Sequence, residues 1–292
     1  MATQRPATIL ITGATGNIGK ELINLLSAKG IPYNAMVRSI ERAKELEELP
    51  GITLVQGDFD DEGSLDTALT GIERAFLLTN SSEHAEAQQI RFVNAAKRAG
   101  VKHIVKLSQW AADASSPVRF LRYHAAVEAA IKASGMTYTF LRPNLFMQGL
   151  LGFKDVIRSE HKFFAAAGEA KISLIDIRDI AAVAAVALTA DGHENKVYDL
   201  TGPESLTHQQ LADIFSDVLT HLVHFINVPE VDMKNALLGV GFPEWQADGL
   251  LEDYAHYRLN EAAVVTDTVQ DVTGKQARTF NQFVTDYASL FK

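Results

Sequence analysis

The sequence predicts a doubly wound α/β fold with a smaller, mostly helical C-terminal lobe, and three observations carry that prediction. Between residues 7 and 142 short β-rich runs alternate with segments of helical period, and the runs are nearly continuous in apolar residues. Strands of that kind, each followed by an amphipathic helix, belong to a parallel sheet covered on both faces. A glycine-rich turn joins the first strand to the first helix. After Pro143 the alternation loosens and helical patterns dominate.

Taken in order, TILIT (8–12) precedes a helix from about Ile18, YNAMVR (33–38) precedes IERAKELEEL, and ITLVQ (52–56) precedes EGSLDTALT. RAFLLT (74–79) leads to the helix AEAQQIRFVNAAKRAG, HIVKLS (103–108) to a helix around Tyr123 to Ser134, and TYTFLR (137–142) closes the series. Beyond it lie helical LADIFSDVL, VDMKNALLGVG, WQADGLLEDYAHYRLNEAA and FNQFVTDYASLF, with short strands at ISLI and KVYDL. This divides the chain into a nucleotide-binding Rossmann domain over 1–150 and a substrate lobe over 151–292, interwoven with it and packed beside the strand C-termini, where open α/β sheets bind ligands.

Composition narrows the function. The 292 residues are 47% hydrophobic and 22% charged, with 19 Gly and 8 Pro, ordinary values for a soluble globular protein that exclude disordered and collagen-like chains. With 27 Lys and Arg against 36 Asp and Glu, the net charge of −9 repels nucleic acid and anionic membranes. Zero cysteines exclude disulfides, thiolate metal sites and a cysteine nucleophile. No apolar run reaches the roughly 18 residues of a membrane span, and Ile9-Leu10-Ile11 is too short for a signal-peptide core. The expectation is a cytoplasmic protein, monomer or homodimer, acting on small molecules.

Gly13-Ala-Thr15-Gly16-Asn17-Ile18-Gly19 follows the first strand and opens the first helix. Its GxxGxxG spacing shares the logic of the dinucleotide fingerprint: glycine permits the tight turn and close approach of a pyrophosphate, and free amides at the helix N-terminus face its charge. Where an acidic residue would bind the ribose 2′-OH of NAD, about 20 residues on, the chain has Arg38 and Ser39, with Arg42 a helical turn later. A guanidinium suits the 2′-phosphate of NADP(H). Asp58, beside Phe59, is placed to accept from an adenine amino group or to cap the helix from Glu62.

Residues just beyond the later strands belong to the ligand crevice by the same rule. These are Leu78, Thr79 and Asn80 after the fourth strand, Ser108, Gln109 and Trp110 after the fifth, and Pro143, Asn144, Leu145, Phe146 and Met147 after the sixth. Gln109, Trp110, Phe146 and Met147 are the candidates for contact with a substrate, and the others for contact with the cofactor.

With TGATGNIG, GDFDD, AAKRAGVKHIVKLS, SGMTYTFLRPN and GHENKVYDLTGPESLTHQQLADI (192–214), nearly the whole chain resembles the NmrA-like branch of the atypical short-chain dehydrogenase/reductases. That branch takes in quinone and triphenylmethane-dye reductases and NADP-sensing regulators. Most active members of the superfamily pair a tyrosine with a lysine four residues on, which lowers the phenol pKa for proton exchange. Here Tyr123 is followed at that spacing by Val127. The resemblance places the lysine position on His124, the tyrosine position on Phe120 and the usual acidic neighbour on Glu128. His124 and Glu128, at i and i+4, share a helix face, so that Glu128 would orient His124 or raise its pKa. Ser108 stands where the superfamily carries a substrate-polarising hydroxyl.

Two function classes follow. One is an NADPH-dependent oxidoreductase that passes hydride directly to quinone-like or conjugated aromatic acceptors, with His124 as the catalytic residue and an apolar pocket that orients both partners. The other is an NADP(H)-binding sensor without turnover. A nucleotide-sugar epimerase is disfavoured by the missing tyrosine and lysine. His221 and His224 lack a carboxylate partner for a metal, and Asp176 and Asp179 read as caps of the helix that follows them.

Overall fold

The computed structural model describes residues 7–292. Its strands are β1 (Ile9–Ile11), β2 (Tyr33–Val37), β3 (Ile52–Gln56), β4 (Arg74–Leu77), β5 (His103–Leu107), β6 (Thr137–Pro143), β7 (Lys162–Ala165), β8 (Lys171–Ile172), β9 (Lys196–Leu200), β10 (Leu206–Thr207) and β11 (His224–Asn227). Seven of them form one sheet in the order β3-β2-β1-β4-β5-β6-β9, parallel throughout. The order reverses between β1 and β4, and the crevice outside the strand C-termini at that reversal is where open sheets take their ligands.

Alternation along the buried strands assigns each face its helices. Ile9 and Ile11, Phe76, and Val105 with Leu107 point into one core, shared with α1 (Asn17–Ala28) and a later helix over 177–189. Leu10, Ala75, Leu77 and Ile104 point the other way. There they meet α3 (Glu62–Ala68), α4 (Ala85–Ala99) and α5 (Arg119–Ser134). Between these lies α2 (Ile40–Ala43), a single turn that continues as a 3-10 helix over Lys44–Glu48. The expected ten-residue helix breaks up because only Ala43, Leu46 and, in part, Leu49 of this charged stretch reach the core.

After β6 come α6 (Lys154–Glu160), α7 (Ile177–Thr189), α8 (His208–Leu219), α9 (Glu230–Gly239), α10 (Glu244–Tyr257), α11 (Thr268–Thr273), α12 (Phe280–Asp286) and α13 (Ala288–Phe291). Two of these late segments return to the first layer. Helix α7 packs on α1, and KVYDL, read as a strand among the C-terminal helices, joins the main sheet beside β6. A third core gathers Phe163, Phe215, Phe280, Phe283 and Phe291 beneath the small β11-β7 and β10-β8 pairs. ISLI yields only the end of β8 and an isolated bridge from Ile175 to Phe146. Asp176 caps α7 by accepting from the Arg178 amide. Asp179 instead pairs with Arg278, which ties α7 to the chain before α12.

Candidate active site

Thr12 follows β1 and donates from its hydroxyl to the Phe76 carbonyl at 2.9 Å, and it accepts the Leu78 amide at 2.9 Å. That link fixes the glycine turn against the end of β4. Gly13 sits at φ +67°, where a side chain is strained, and a Cβ there would stand 3.0 Å from Leu78 Cγ. Its carbonyl accepts the Gly16 amide at 2.9 Å. Helix α1 then starts with no side-chain cap and no acidic residue in its first turn, so its amides and dipole present positive potential to whatever lies before them.

In front of that turn opens a cleft of about 1170 Å³ along the C-terminal ends of the strands. Gly13, Thr15, Gly16, Asn17 and Ile18 line it. Gly19, expected to contact the cofactor, does not line it. A Cβ on Gly19 would lie 2.0 Å from the Gly13 oxygen, so its role is to let the helix pass beneath the loop. Arg38 lies exposed on the cleft wall at the end of β2, and no carboxylate pairs with it among the described residues. Arg42 does not line the cleft; its backbone amide donates to the Ser39 hydroxyl that caps α2. Asp58 and Phe59 do line the cleft. The cap of α3 is Asp61, which accepts from Gly63 and Ser64, so Asp58 is left with the Asp60 amide.

The wall continues through Leu78, Thr79 and Asn80 after β4. Gln89 donates to Thr79 Oγ at 2.8 Å, which leaves the threonine O–H free to donate. Leu145 and Phe146 follow β6 on the opposite side. Pro143 and Asn144 line it as well. The Asn144 side chain is buried and tied to Ser173 and Ala262. Met147 points away from the cleft into the third core.

Where β5 meets α5, buried polar groups interlock differently from the expectation. Glu128 does not hold His124: it accepts from Ser108 at 2.5 Å and pairs with Arg142 at 2.5 Å. Ser108 therefore spends its proton on Glu128 rather than on a substrate. The partner of His124 is Lys106, fully buried on β5, whose Nζ lies 2.9 Å from His124 Nδ1 and donates to the Leu107 carbonyl at 2.9 Å. Burial first, then the charges of Lys106 and Arg142, hold the imidazole well below its ordinary pKa. Burial pushes Lys106 down to about 7. His124 is thus neutral at pH 7, accepts at Nδ1 and carries its proton on Nε2 toward the cleft it lines. The neighbouring Tyr123 hydroxyl is bonded to Ser81 at 2.9 Å, and burial pushes it up to about 12.

Beyond His124 the cleft becomes aromatic. Ala111, at φ +56°, bends the loop after β5. The Trp110 amide donates to the Pro143 carbonyl and its indole to the Glu261 carbonyl at 3.1 Å. Phe120 packs on Trp245 with ring centroids 5.3 Å apart. Gln109 donates from Nε2 to both oxygens of Asp253, each at 3.1 Å. The C-terminal lobe supplies the far wall: His208 from α8, Leu237 from α9, and Leu250, Asp253 and Tyr254 from α10. Sequence reading missed these lobe residues because no motif connects them to the strand ends. Lys106 was within its reach, since a lysine interrupts the otherwise apolar IVKL.

The NmrA-like family matches residues 5–285 of the chain. The NAD(P)H azoreductase of Xenophilus azovorans is 38% identical over 97% of this chain and 99% of its own length. The structure of an Escherichia coli NADPH-dependent quinone oxidoreductase complexed with NADPH superposes with a TM-score of 0.87 at 33% identity, covering 97% of this chain and all of that one. Triphenylmethane reductase from Citrobacter sp., complexed with NADP(H), gives 0.86 at 29% identity over 95% of this chain and 99% of its own.

Proposed function

The chain belongs to the NmrA-like family, and from the cleft it builds on that fold we propose that hydride passes in it directly from NADPH to quinone-like or conjugated aromatic acceptors. It is an NAD(P)H-dependent oxidoreductase, as are its azoreductase and quinone oxidoreductase relatives. One observation carries the finer reading: a single cleft joins a glycine loop and guanidinium at one end to an aromatic wall at the other. At about 1170 Å³ it exceeds the roughly 300–1,000 Å³ of a pocket for one ligand, which leaves room for a dinucleotide and a second molecule.

The residues fit the cofactor. The uncapped amides of Asn17 and Ile18 at the start of α1 suit a pyrophosphate, Arg38 suits a 2′-phosphate, and the Thr79 hydroxyl and His124 Nε2–H are donors for a ribose or carboxamide. NADPH supplies the hydride when bound. The chain's own part is to orient both partners and exclude water, which concentrates catalysis in positioning. Tyr123 has no part in proton transfer, because its hydroxyl is held by Ser81 and bound far above neutral pKa. No helix among the described residues is long and apolar enough to cross a membrane. The charge of −9 and the lack of cysteine support a cytoplasmic enzyme of small molecules rather than of nucleic acid.

The test is turnover. NADPH oxidation against benzoquinones, azo dyes and triphenylmethane dyes is expected to run for many cycles per chain. Binding of NADP and NADPH with clearly different affinities, and reduction of no acceptor, would replace the enzyme with a sensor.

A further inference from the structure

We propose that Asp253, on α10, is the acid that protonates the acceptor as hydride reaches it; this rests on the reductase reading above. Asp253 lines the aromatic half of the cleft and is only 5% exposed. Among the described residues the only hydrogen bonds of its carboxyl group are incoming ones, from Gln109 Nε2 to both oxygens. A protonated carboxyl held this way keeps its own O–H, and among the described residues no acceptor takes it. Gln109 follows Ser108 just after β5, and it lines the same cleft as His124 and Asp253.

Among the described residues no cation pairs with it. From α5, Arg119 is taken by Glu252 and Asp248. From α9, Lys234 is taken by Glu244 and Asp248. On its own helix the neighbours are Glu252, an anion, and Tyr254 and Tyr257, phenols that remain neutral; Tyr123 faces it from α5. From α8, His208 bonds Tyr254 and is held uncharged by burial. His256, the remaining titratable group on α10, pairs with Glu261. Burial, reinforced by Glu252, lifts the Asp253 carboxyl to about 7, so a substantial fraction is protonated at neutral pH. His124 cannot fill this role, because its imidazole stays neutral.

The step balances. A quinone gains a hydride from NADPH at one end of its conjugated system and a proton from Asp253 at one oxygen. The Asp253 O–H bond breaks, a hydroquinone O–H forms, and the carboxylate is reprotonated from water. A cationic triarylmethane dye needs hydride alone to become its neutral leuco form, so it needs no acid.

That difference is the test. With saturating NADPH, the wild-type rate with a benzoquinone is expected to fall as pH rises through about 7, because the acid form of Asp253 is lost. Asp253→Asn, a neutral isostere, should be slower with the quinone at pH 6 by about a hundredfold, the loss typical of removing a general acid, and its pH profile should be flat. Its loss with a cationic triarylmethane dye should be smaller by about tenfold or more. Independently of turnover, infrared difference spectra of the cofactor-free protein should show a carboxylic acid band that titrates near neutral pH and is absent from D253N. Equal losses with both acceptors, an unchanged quinone profile in D253N, or a carboxyl that titrates in the ordinary carboxylate range would each overturn the assignment. A wild type that reduces neither acceptor refutes the reductase reading itself, whereas reduction of both with no contribution from Asp253 refutes only this one.

Discussion

The guanidinium of Arg38 stands exposed where β2 ends on the cleft, and among the described residues no carboxylate competes for it. A charge-assisted hydrogen bond to a 2′-phosphate contributes about 1.5–3 kcal/mol, so Arg38→Ala is expected to weaken NADPH binding roughly ten- to a hundredfold. NADH, which lacks that phosphate, should bind as before. Titration of both cofactors against wild type and variant decides it: equal losses for the two would show that Arg38 reads something other than the phosphate. Arg38 was legible in the sequence because strand ends are fixed in register. The partner of His124 was not. Spacing on one helix brings Glu128 to the same face as His124, but Ser108, just after β5, and Arg142, on β6, take the carboxylate. Lys106 arrives from β5 to occupy Nδ1.

At the scale of elements, the strand-loop-helix unit β1 to α1 separates two glycine functions that look alike in sequence. A Cβ on Gly19 has no room, with the Gly13 oxygen at 2.0 Å, whereas Gly16 is an exposed helix cap at φ −82° where a Cβ would meet nothing nearer than the Gly13 oxygen at 3.3 Å. Gly19→Ala is therefore expected to destabilise the fold by at least the ~1–3 kcal/mol of overpacking. Gly16→Val should cost about 1 kcal/mol as a poorer cap and abolish cofactor binding by filling the phosphate position. Urea denaturation and NADPH titration on both variants separate the two effects; a Gly16→Val protein with wild-type affinity would contradict the loop's assignment. Long alternating elements were legible because periodicity and burial agree. The segment IERAKELEEL was not, since its charged pattern gives no face for the core to hold beyond Ala43, Leu46 and the half-buried Leu49.

For the whole molecule, function follows from how the chain's two halves close one cleft. The first half supplies the glycine loop and Arg38, and helices α8, α9 and α10 supply the far wall. The near half was legible because a topological rule locates ligands at strand ends. The far half depends on tertiary packing that places Asp253 against Gln109 across 144 residues of sequence, and no local pattern announces that. The same architecture makes a direct claim about chemistry: one cleft, two ligands, and a hydride that passes between them without an intermediate carrier. Single-turnover reduction of a triarylmethane dye by NADPH deuterated at either face of C4 tests it. Deuterium on one face is expected to slow the reaction and to appear on the central carbon of the leuco dye. Reduction that is insensitive to the label on both faces and yields a product carrying only solvent hydrogen would contradict direct transfer.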